Sequence, residues 1–501
     1  MNIIMENNWQ CKKIEIELQK LQLAATNYFC NIRELFENYT RYYRTTYDST
    51  FNKSGTLSDV IPASGYDIFN YIAKYGLANF QIQLVMRLDG RLNFDRLVRA
   101  VRLTFDAEPI LGCRFVYSNP PYWKRFDNID NIEFCKLTVT DNPDEAISQF
   151  LERTMDMDKD PMVLIELIRS GQSDTLGLKI NHVCCDGAGA KEYIKLLSDT
   201  YNKISDEDNF FIPQPNVRDK KDHDSLKNTI SKFNPMTSYT PLQQMPLTTW
   251  NFPWRNIKIG DTGFEMCRLP EGCLDSLKAY ARARGATIND LLLTAIYRAM
   301  FDISKPPYGL PMDISITSDL RRYLPDNKAH AIRNFSSGAI FRIGRKANEL
   351  FEETLSRVMV VTKDFKNRHP NFASIIGVEN FEKINFHQFC AYFKAMSQAV
   401  ELVSQNPFFV FNRCSPVLSN IGFISRSLIK FGENTVTDLY CIPPAVRAPG
   451  ILIVSGTYND IMTLAIGYYK PSVQKTDIEG LLNKIRDELI QSCNNEFTHF
   501  H

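Results

Sequence analysis

The sequence predicts a mixed α/β or α+β protein, with strand and helix patterns alternating through both halves of the chain. Three observations carry that reading. Leu176, Leu178 and Ile180 alternate with Gly177, Lys179 and Asn181, the two-residue period of a half-buried strand. Ala190 to Leu197 then follows with the spacing of an amphipathic helix, Ile194 and Leu197 sharing a face. Finally, 501 residues at 44% hydrophobic content exceed one typical domain and suffice for two cores.

Four regions succeed one another. Residues 1–57 form an N-terminal helical extension, amphipathic from Ile14 through Tyr43, with Ile14, Leu18, Leu21 and Leu23 as apolar positions that serve packing on the main body or, as the second reading, association. Residues 58–204 make a first lobe. Residues 205–255, rich in Asp, Lys and Asn and carrying Pro213, Pro215, Pro235, Pro241 and Pro246, read as a crossover linker. Residues 256–501 make a second lobe. In it Thr287 caps a helix with Asp290 in its first turn and Leu292, Ile296 and Ala299 on one face. The last helix opens on a capping box of Thr476 and Glu479 and buries Leu481, Leu482, Ile485 and Leu489. There is no internal repeat or low-complexity tract.

Composition narrows the function classes. Lys and Arg number 58 against 57 Asp and Glu, so no global field recruits nucleic acid or anionic lipid. Met1 to Lys20 is polar and broken by charges, unlike a signal peptide, and no long uncharged run spans a bilayer; a soluble cytoplasmic protein is the expectation. The 12 cysteines are scattered, without Cys-x-x-Cys repeats, and read as reduced, small buried hydrophobes. No metal is called for, since His223, His330, His369 and His387 show no paired ligand spacing and His499 and His501 sit at the extreme C-terminus.

The chemistry concentrates in His182-Val183-Cys184-Cys185-Asp186-Gly187. His182 continues the even-numbered apolar series, so its side chain faces the interior where the strand ends. Burial disfavours imidazolium, and neutral imidazole is what a general base must be. With seven histidines in the chain, a chance His-x-x-x-Asp-Gly is expected on the order of 0.02 times. The alternatives are a hydrogen-bonded core histidine or a nucleophilic Cys184 or Cys185; alternation disfavours the latter. Gly187-Ala188-Gly189-Ala190-Lys191 lacks the spacing and hydroxyl of a phosphate loop, and Asp224-Ser225-Leu226 lacks the glycine of a carrier attachment site.

Further segments, taken in order, resemble the chloramphenicol-acetyltransferase-like superfamily of CoA-dependent acyltransferases, which includes condensation domains, alcohol O-acyltransferases, wax ester synthases and plant BAHD acyltransferases. Phe80 to Gly90 with Leu92 to Phe105 looks like its first strand and helix, and Glu108 to Phe115 resembles "hP-x-L-R-x-x-F". Asp160-Pro161 leads a strand from Met162 to Ile168. Ala286 to Leu292 resembles "A-T-x-N-D-x-L-L", Ser318 to Pro325 "D-L-R-x-R-L-P", Ser419 to Gly422 "S-N-x-G", and Thr457 to Asp460 a late hairpin turn. The likeness runs from about Pro62 to Leu489. Where condensation domains and wax synthases usually carry a first histidine, this chain has Asn181, and the plant-type D-F-G-W-G is not found.

The resemblance implies two similar lobes, each a mixed sheet flanked by helices, with an active-site tunnel between them. It implies acyl transfer from a CoA thioester to the hydroxyl or amine of a small acceptor, as in alcohol acetyltransferases, with His182 as base and acyl-CoA a co-substrate rather than a resident cofactor. The chain's stand-alone length favours CoA. The alternatives are a phosphopantetheinyl carrier protein as donor, as for condensation domains, or a noncatalytic acyl-binding relative. By the same resemblance Asp186 turns from the substrate and pairs with an arginine, Arg321 first and Arg322 second. Ser419 and the Gly187 amide are candidate oxyanion donors. Asn420 is a further oxyanion or substrate candidate, with strand termination the other reading for it and for Asn334.

Overall fold

The computed structural model describes residues 60–204, 213–231, 250–367, 380–404 and 415–497; the amphipathic stretch Ile14 to Tyr43, His369, His499 and His501 lie outside them. The first half runs β1 (Val60–Pro62), α1 (Gly65–Ala73), β2 (Gln81–Leu88), α2 (Phe94–Ala107), β3 (Cys113–Val116), β4 (Tyr122–Arg125), β5 (Cys135–Val139), α3 (Pro143–Glu152), β6 (Val163–Ser170), β7 (Ser173–Asn181) and α4 (Gly187–Lys203). After α5 (Lys221–Ser231), which falls within the proline-rich stretch, come β8 (Thr262–Arg268), α6 (Cys273–Ala283), α7 (Ile288–Ser304), β9 (Pro311–Asp319), β10 (Ser336–Gly344), α8 (Phe351–Asn367) and α9 (Phe386–Ser404). The chain continues with β11 (Ser415–Ile424), β12 (Lys430–Phe431), β13 (Asn434–Ile442), β14 (Ala445–Val446), β15 (Gly450–Tyr458), β16 (Ile461–Tyr469) and α10 (Lys475–Phe497).

The period-2 segments become strands because their register stacks apolar residues across neighbours. Ile82, Leu84 and Met86 of β2 face Ile180, Leu178 and Leu176 of β7, and Leu178 in turn faces Ile165 of β6. Leu97, Val101 and Phe105 of α2 and Tyr193, Ile194 and Leu197 of α4 join these strand residues in one buried cluster. Each fully buried Leu or Ile contributes about 1.5–3 kcal/mol, so this cluster fixes the register against slippage. The sheet is six-stranded, β12-β13-β2-β7-β6-β5. Its strands β12 and β13 come from far along the chain, Val436 to Ile442 pairing antiparallel with Leu88 to Gln83.

Alternation along β7 predicts one wet face, but both are buried. The odd-numbered face is covered by α3, whose Phe150 ring lies where a Cβ on Gly177 would come within 2.7 Å, so only glycine admits the helix. Lys179, on that face, is buried; its Nζ donates to Arg153 O, and desolvation brings its pKa down to about 7.

A second sheet of seven strands, β10-β9-β11-β15-β16-β14 with β8 on the free side of β16, is packed by α7 and α10. Helix α7 is capped by a full box: Asp290 N donates to Thr287 Oγ1, and Thr287 N to Asp290 Oδ2 at 2.8 Å. Leu292, Ile296 and Ala299 are buried below it. The capping box read at Thr476 and Glu479 does not form: α10 starts at Lys475, so Thr476 already lies in its first turn and Glu479 pairs with Lys475 instead. Asn459 and Asp460, both at positive φ of 47° and 60°, make the two-residue turn between β15 and β16. Three shorter strands, β1-β4-β3, form a separate small sheet.

Thr287→Ala should remove the α7 cap and lower unfolding free energy by about 1 kcal/mol. Urea denaturation would show this as a lower midpoint with an unchanged slope; an unmoved midpoint would mean the box contributes nothing.

Candidate active site

The end of β7 turns into α4 through residues whose side chains close the turn. His182 N donates to Phe80 O at 2.7 Å, carrying the β2 pairing one residue past the strand. Asn181 accepts from Val183 N through Oδ1 at 3.0 Å, and its carbonyl accepts from Cys184 N at 3.1 Å. This is an Asx turn, which histidine could not make in the same way. Asp186 is the N-cap of α4, accepting from Gly189 N at 2.9 Å. Gly189 is required by packing: a Cβ there would lie 2.9 Å from Cys185 Cβ and 3.4 Å from Arg333 O.

Asp186 is buried and fully employed. Besides Gly189, it accepts from Arg321 Nη1 at 3.0 Å and Phe335 N at 2.6 Å. Arg321, buried as well, also donates to Arg333 O at 2.7 Å and Asp319 at 3.2 Å, and its Nε lies 3.4 Å from Glu192. Burial works against the Asp186 charge, but Arg321 and the two N–H donors outweigh it and hold the carboxyl below its ordinary value. Arg322 lies on the exposed side and donates to the Tyr323 hydroxyl.

The His182 ring stands edge-on to Phe80, with centroids 5.7 Å apart and planes at 70°. Burial lowers its pKa below the ordinary histidine value, so the imidazole is neutral at pH 7. Cys184 and Cys185 are buried; a hydrogen bond from Cys184 and burial push the Cys185 thiol up, away from thiolate.

The turn is gripped by residues that sequence reading did not assign to it. Asn334 Nδ2 donates to His182 O at 3.1 Å and Val183 O at 2.9 Å, and Arg218 Nη2 to Cys184 O at 3.1 Å. Arg218 is in turn paired with Asp67 at 3.0 Å, and Arg333 with Asp222 at 3.2 Å. Two carboxyls nearby are pushed up to about 7, chiefly by burial: Glu108, which accepts from Asn216 Nδ2 at 2.5 Å and Ile332 N at 3.1 Å, and Glu192 beside Arg321. No spacing in the sequence marks these contacts, because their partners come from four separate stretches.

The Ser419 to Gly422 segment of β11 reaches the start of α4. Lys191 Nζ donates to Ile421 O at 2.6 Å, and a Cβ on Gly187 would lie 3.2 Å from Ile421 Cγ2. Ser419 Oγ accepts from Thr317 Oγ1 at 2.9 Å. Asn420 is turned to other work: Nδ2 donates to Asn289 at 2.6 Å and Oδ1 accepts from Gly422 N at 2.8 Å, where the strand bulges. A cavity of about 80 Å³ is lined by Asn289, Thr317, Ser318, Arg322, Phe341 and Lys366 among others.

Asp186→Asn should cost about 3–5 kcal/mol of stability, because it removes the fully buried counter-charge of Arg321 and leaves only the more exposed Asp319 and Glu192 beside it. Since the folded pKa of Asp186 is depressed, the contribution is present above the ordinary carboxylate range and is lost as pH falls through the folded value. Thermal melts of both proteins at pH 7 and pH 3 test this: the gap should shrink at acid pH, and equal melting at pH 7 would refute it.

A Condensation domain family model matches residues 76–306. The trichothecene 15-O-acetyltransferase of Fusarium sporotrichioides superposes with TM-score 0.66 over 88% of this chain and 97% of its own, at 13% identity. Polyketide synthase associated protein 5 of Mycobacterium tuberculosis gives 0.59 over 87% and 98%, at 13% identity. The condensation domain of the Monacolin K polyketide synthase MokA gives 0.61 over 88% and 99%, at 12% identity. Two uncharacterised proteins of Mycobacterium tuberculosis are 27% identical over 131 residues, a quarter of this chain (25%) and 30% of their length. Among the described residues no helix is long and apolar enough to cross a membrane. Residues 76–306 thus match the Condensation domain family model, and most of the chain shares the two-lobed fold of these condensation and acetyltransferase structures.

Proposed function

We propose that this protein is a cytoplasmic HxxxDG-type acyltransferase that moves an acyl group, other than an aminoacyl group, from a CoA thioester to the hydroxyl or amine of a small acceptor. The observation that carries the reading is His182, kept neutral by burial and mounted on a turn that a buried ion pair holds rigid. In the reaction His182 removes the acceptor proton as the acceptor oxygen or nitrogen attacks the thioester carbonyl. The tetrahedral intermediate collapses, the C–S bond breaks, and imidazolium returns the proton to the leaving thiolate. Asp186 is a positioning residue, acting through Arg321 and the N-terminus of α4.

The oxyanion needs donors beside the turn. Gly187 N–H, in the first turn of α4, has no acceptor within the helix. The Ser419 hydroxyl accepts from Thr317, which leaves its own proton free to donate. Asn420, engaged by Asn289 and Gly422, is the weaker candidate. A CoA donor is supported by the likeness to an O-acetyltransferase along most of both chains. The Condensation domain match favours a second reading, in which the donor is a phosphopantetheinyl carrier protein.

Thiol release from acetyl-, medium-chain and long-chain acyl-CoA in the presence of pooled alcohols and amines, with products read by mass spectrometry, tests the proposal. Acceptor-dependent release is expected, and His182→Ala should lower kcat at least about 10²-fold; a folded variant with normal turnover would remove His182 as base. Release only from carrier-bound donors would select the second reading, and binding without turnover a noncatalytic one. Because the His182 pKa is lowered, kcat/KM should stay flat from pH 8 down to the ordinary histidine range near about 6.5 and fall only below it. An acid limb above that range would contradict the buried, neutral base.

A further inference from the structure

Strand β11 carries one residue too many. Asn420 is paired with Ser455 of β15 and Gly422 with Gly456, which leaves Ile421 as the extra residue of a β-bulge. Asn420 Oδ1 closes the bulge by accepting from Gly422 N at 2.8 Å, and Gly422 supplies the positive φ of 74° that the kinked backbone needs. The extra residue of a bulge is released from the ladder, so its carbonyl and side chain are available to another element. Both go to the start of α4. Lys191 Nζ donates to Ile421 O at 2.6 Å, and a Cβ on Gly187 would lie 3.2 Å from Ile421 Cγ2. On its other side Ile421 Cδ1 is 3.0 Å from where Gly456 would carry a Cβ, so the side chain fits between α4 and β15 only because both positions are glycine.

Gly187 and Lys191 are four residues apart and share one face of α4. On β11, Leu418 belongs to the core beneath α7, and Asn420 Nδ2 reaches Asn289 at the start of that helix. Ser419 takes the opposite face, the one that Ile421 shares: its register partner Val454 and Ile421 both pack in the cluster around β2, β7 and α4. The Ser419 hydroxyl and the Gly187 N–H thus come from different halves of the chain, and the contact of Ile421 with α4 joins the segments that carry them. Lys191 forms no ion pair among the described residues, and its ammonium is spent on the Ile421 carbonyl. We infer that Lys191 and Ile421 are a clasp that holds the β11 bulge on the first turn of α4 and so sets the spacing between the Gly187 N–H and the Ser419 hydroxyl. Both are positioning residues, acting through Ser419 instead of on the reacting atoms. The catalytic consequence rests on the proposed roles of Gly187 and Ser419 as oxyanion donors; the clasp itself does not.

A double-mutant cycle in the full chain reads that action. Ser419→Ala should lower kcat about 10²-fold with little change in KM, the usual loss for one oxyanion donor. Lys191→Met keeps the length of the side chain without its donor and should lower kcat about tenfold, again with little change in KM, since a 1 Å misplacement costs up to about 10²-fold. Lys191→Arg restores a donor and should recover most of that loss. If Lys191 acts through Ser419, Lys191→Met should cost almost nothing further in the Ser419→Ala background. Losses that multiply would overturn the inference, as would Lys191→Met with wild-type kcat. Thermal melting tests the clasp without turnover. Gly187→Ala crowds Ile421 and should lower Tm, and Ile421→Ala, which removes the crowding methyl, should be tolerated better in that background than in wild type. Additive Tm shifts would mean that the contact does not hold the bulge. Coupled melting together with wild-type kcat in Ser419→Ala would support the clasp and overturn the oxyanion assignment instead.

Discussion

The ion pair between Asp186 and Arg321 is the constraint on which the rest of the site depends. Asp186 caps the helix that follows the first sheet, and Arg321 follows the strand β9 of the second. Sequestering two opposite charges is unfavourable unless every remaining hydrogen-bonding position is filled. Here the carboxylate is committed to two main-chain N–H groups as well as the guanidinium, and the guanidinium donates to Arg333 O and Asp319 while its Nε faces the Glu192 carboxyl at 3.4 Å. The pair therefore fixes where the two halves meet, and the histidine turn inherits that fixed position.

Around it lies a wider belt of buried charge. Arg218 with Asp67, Arg333 with Asp222, and Glu108 with Asn216 and Ile332 tie the segment between the halves to the underside of the turn. His330 adds its ring and main-chain N–H to Asp222. Such networks contribute little net stability compared with apolar packing, but they penalise every arrangement in which one member is missing. That is suited to a reaction in which the base must stand within a few tenths of an ångström of its place.

What could be read in the sequence was local. The β7 strand was visible because Leu176, Leu178 and Ile180 repeat every second residue, and the α7 cap because Thr287 and Asp290 stand at the required spacing. Local patterns failed where a neighbour reached in from elsewhere. The odd face of β7 reads as solvent-facing through Lys179, and only the arrival of α3 buries it. Thr476 and Glu479 have the spacing of a capping box, yet the helix begins two residues too early to use it. Nothing local ties Asn334, read as a strand terminator, or Arg218 to the turn: their bonds to His182, Val183 and Cys184 span 152, 151 and 34 residues. Arg321 was reachable only through resemblance, since its bond to Asp186 spans 135 residues.

The pairing of β13 with β2 sets the order in which the molecule can assemble. Gln83 to Leu88 waits for Val436 to Ile442 before its outer edge is covered. During synthesis at about 5–20 residues per second, that edge stands open for tens of seconds while the intervening chain emerges. A nascent first sheet is thus an exposed template for strand addition by other chains, and a gene cut between the halves would yield a fragment that aggregates instead of a half that folds. Chaperone demand, and the failure of such truncations, are written into the same topology that gives the site its walls.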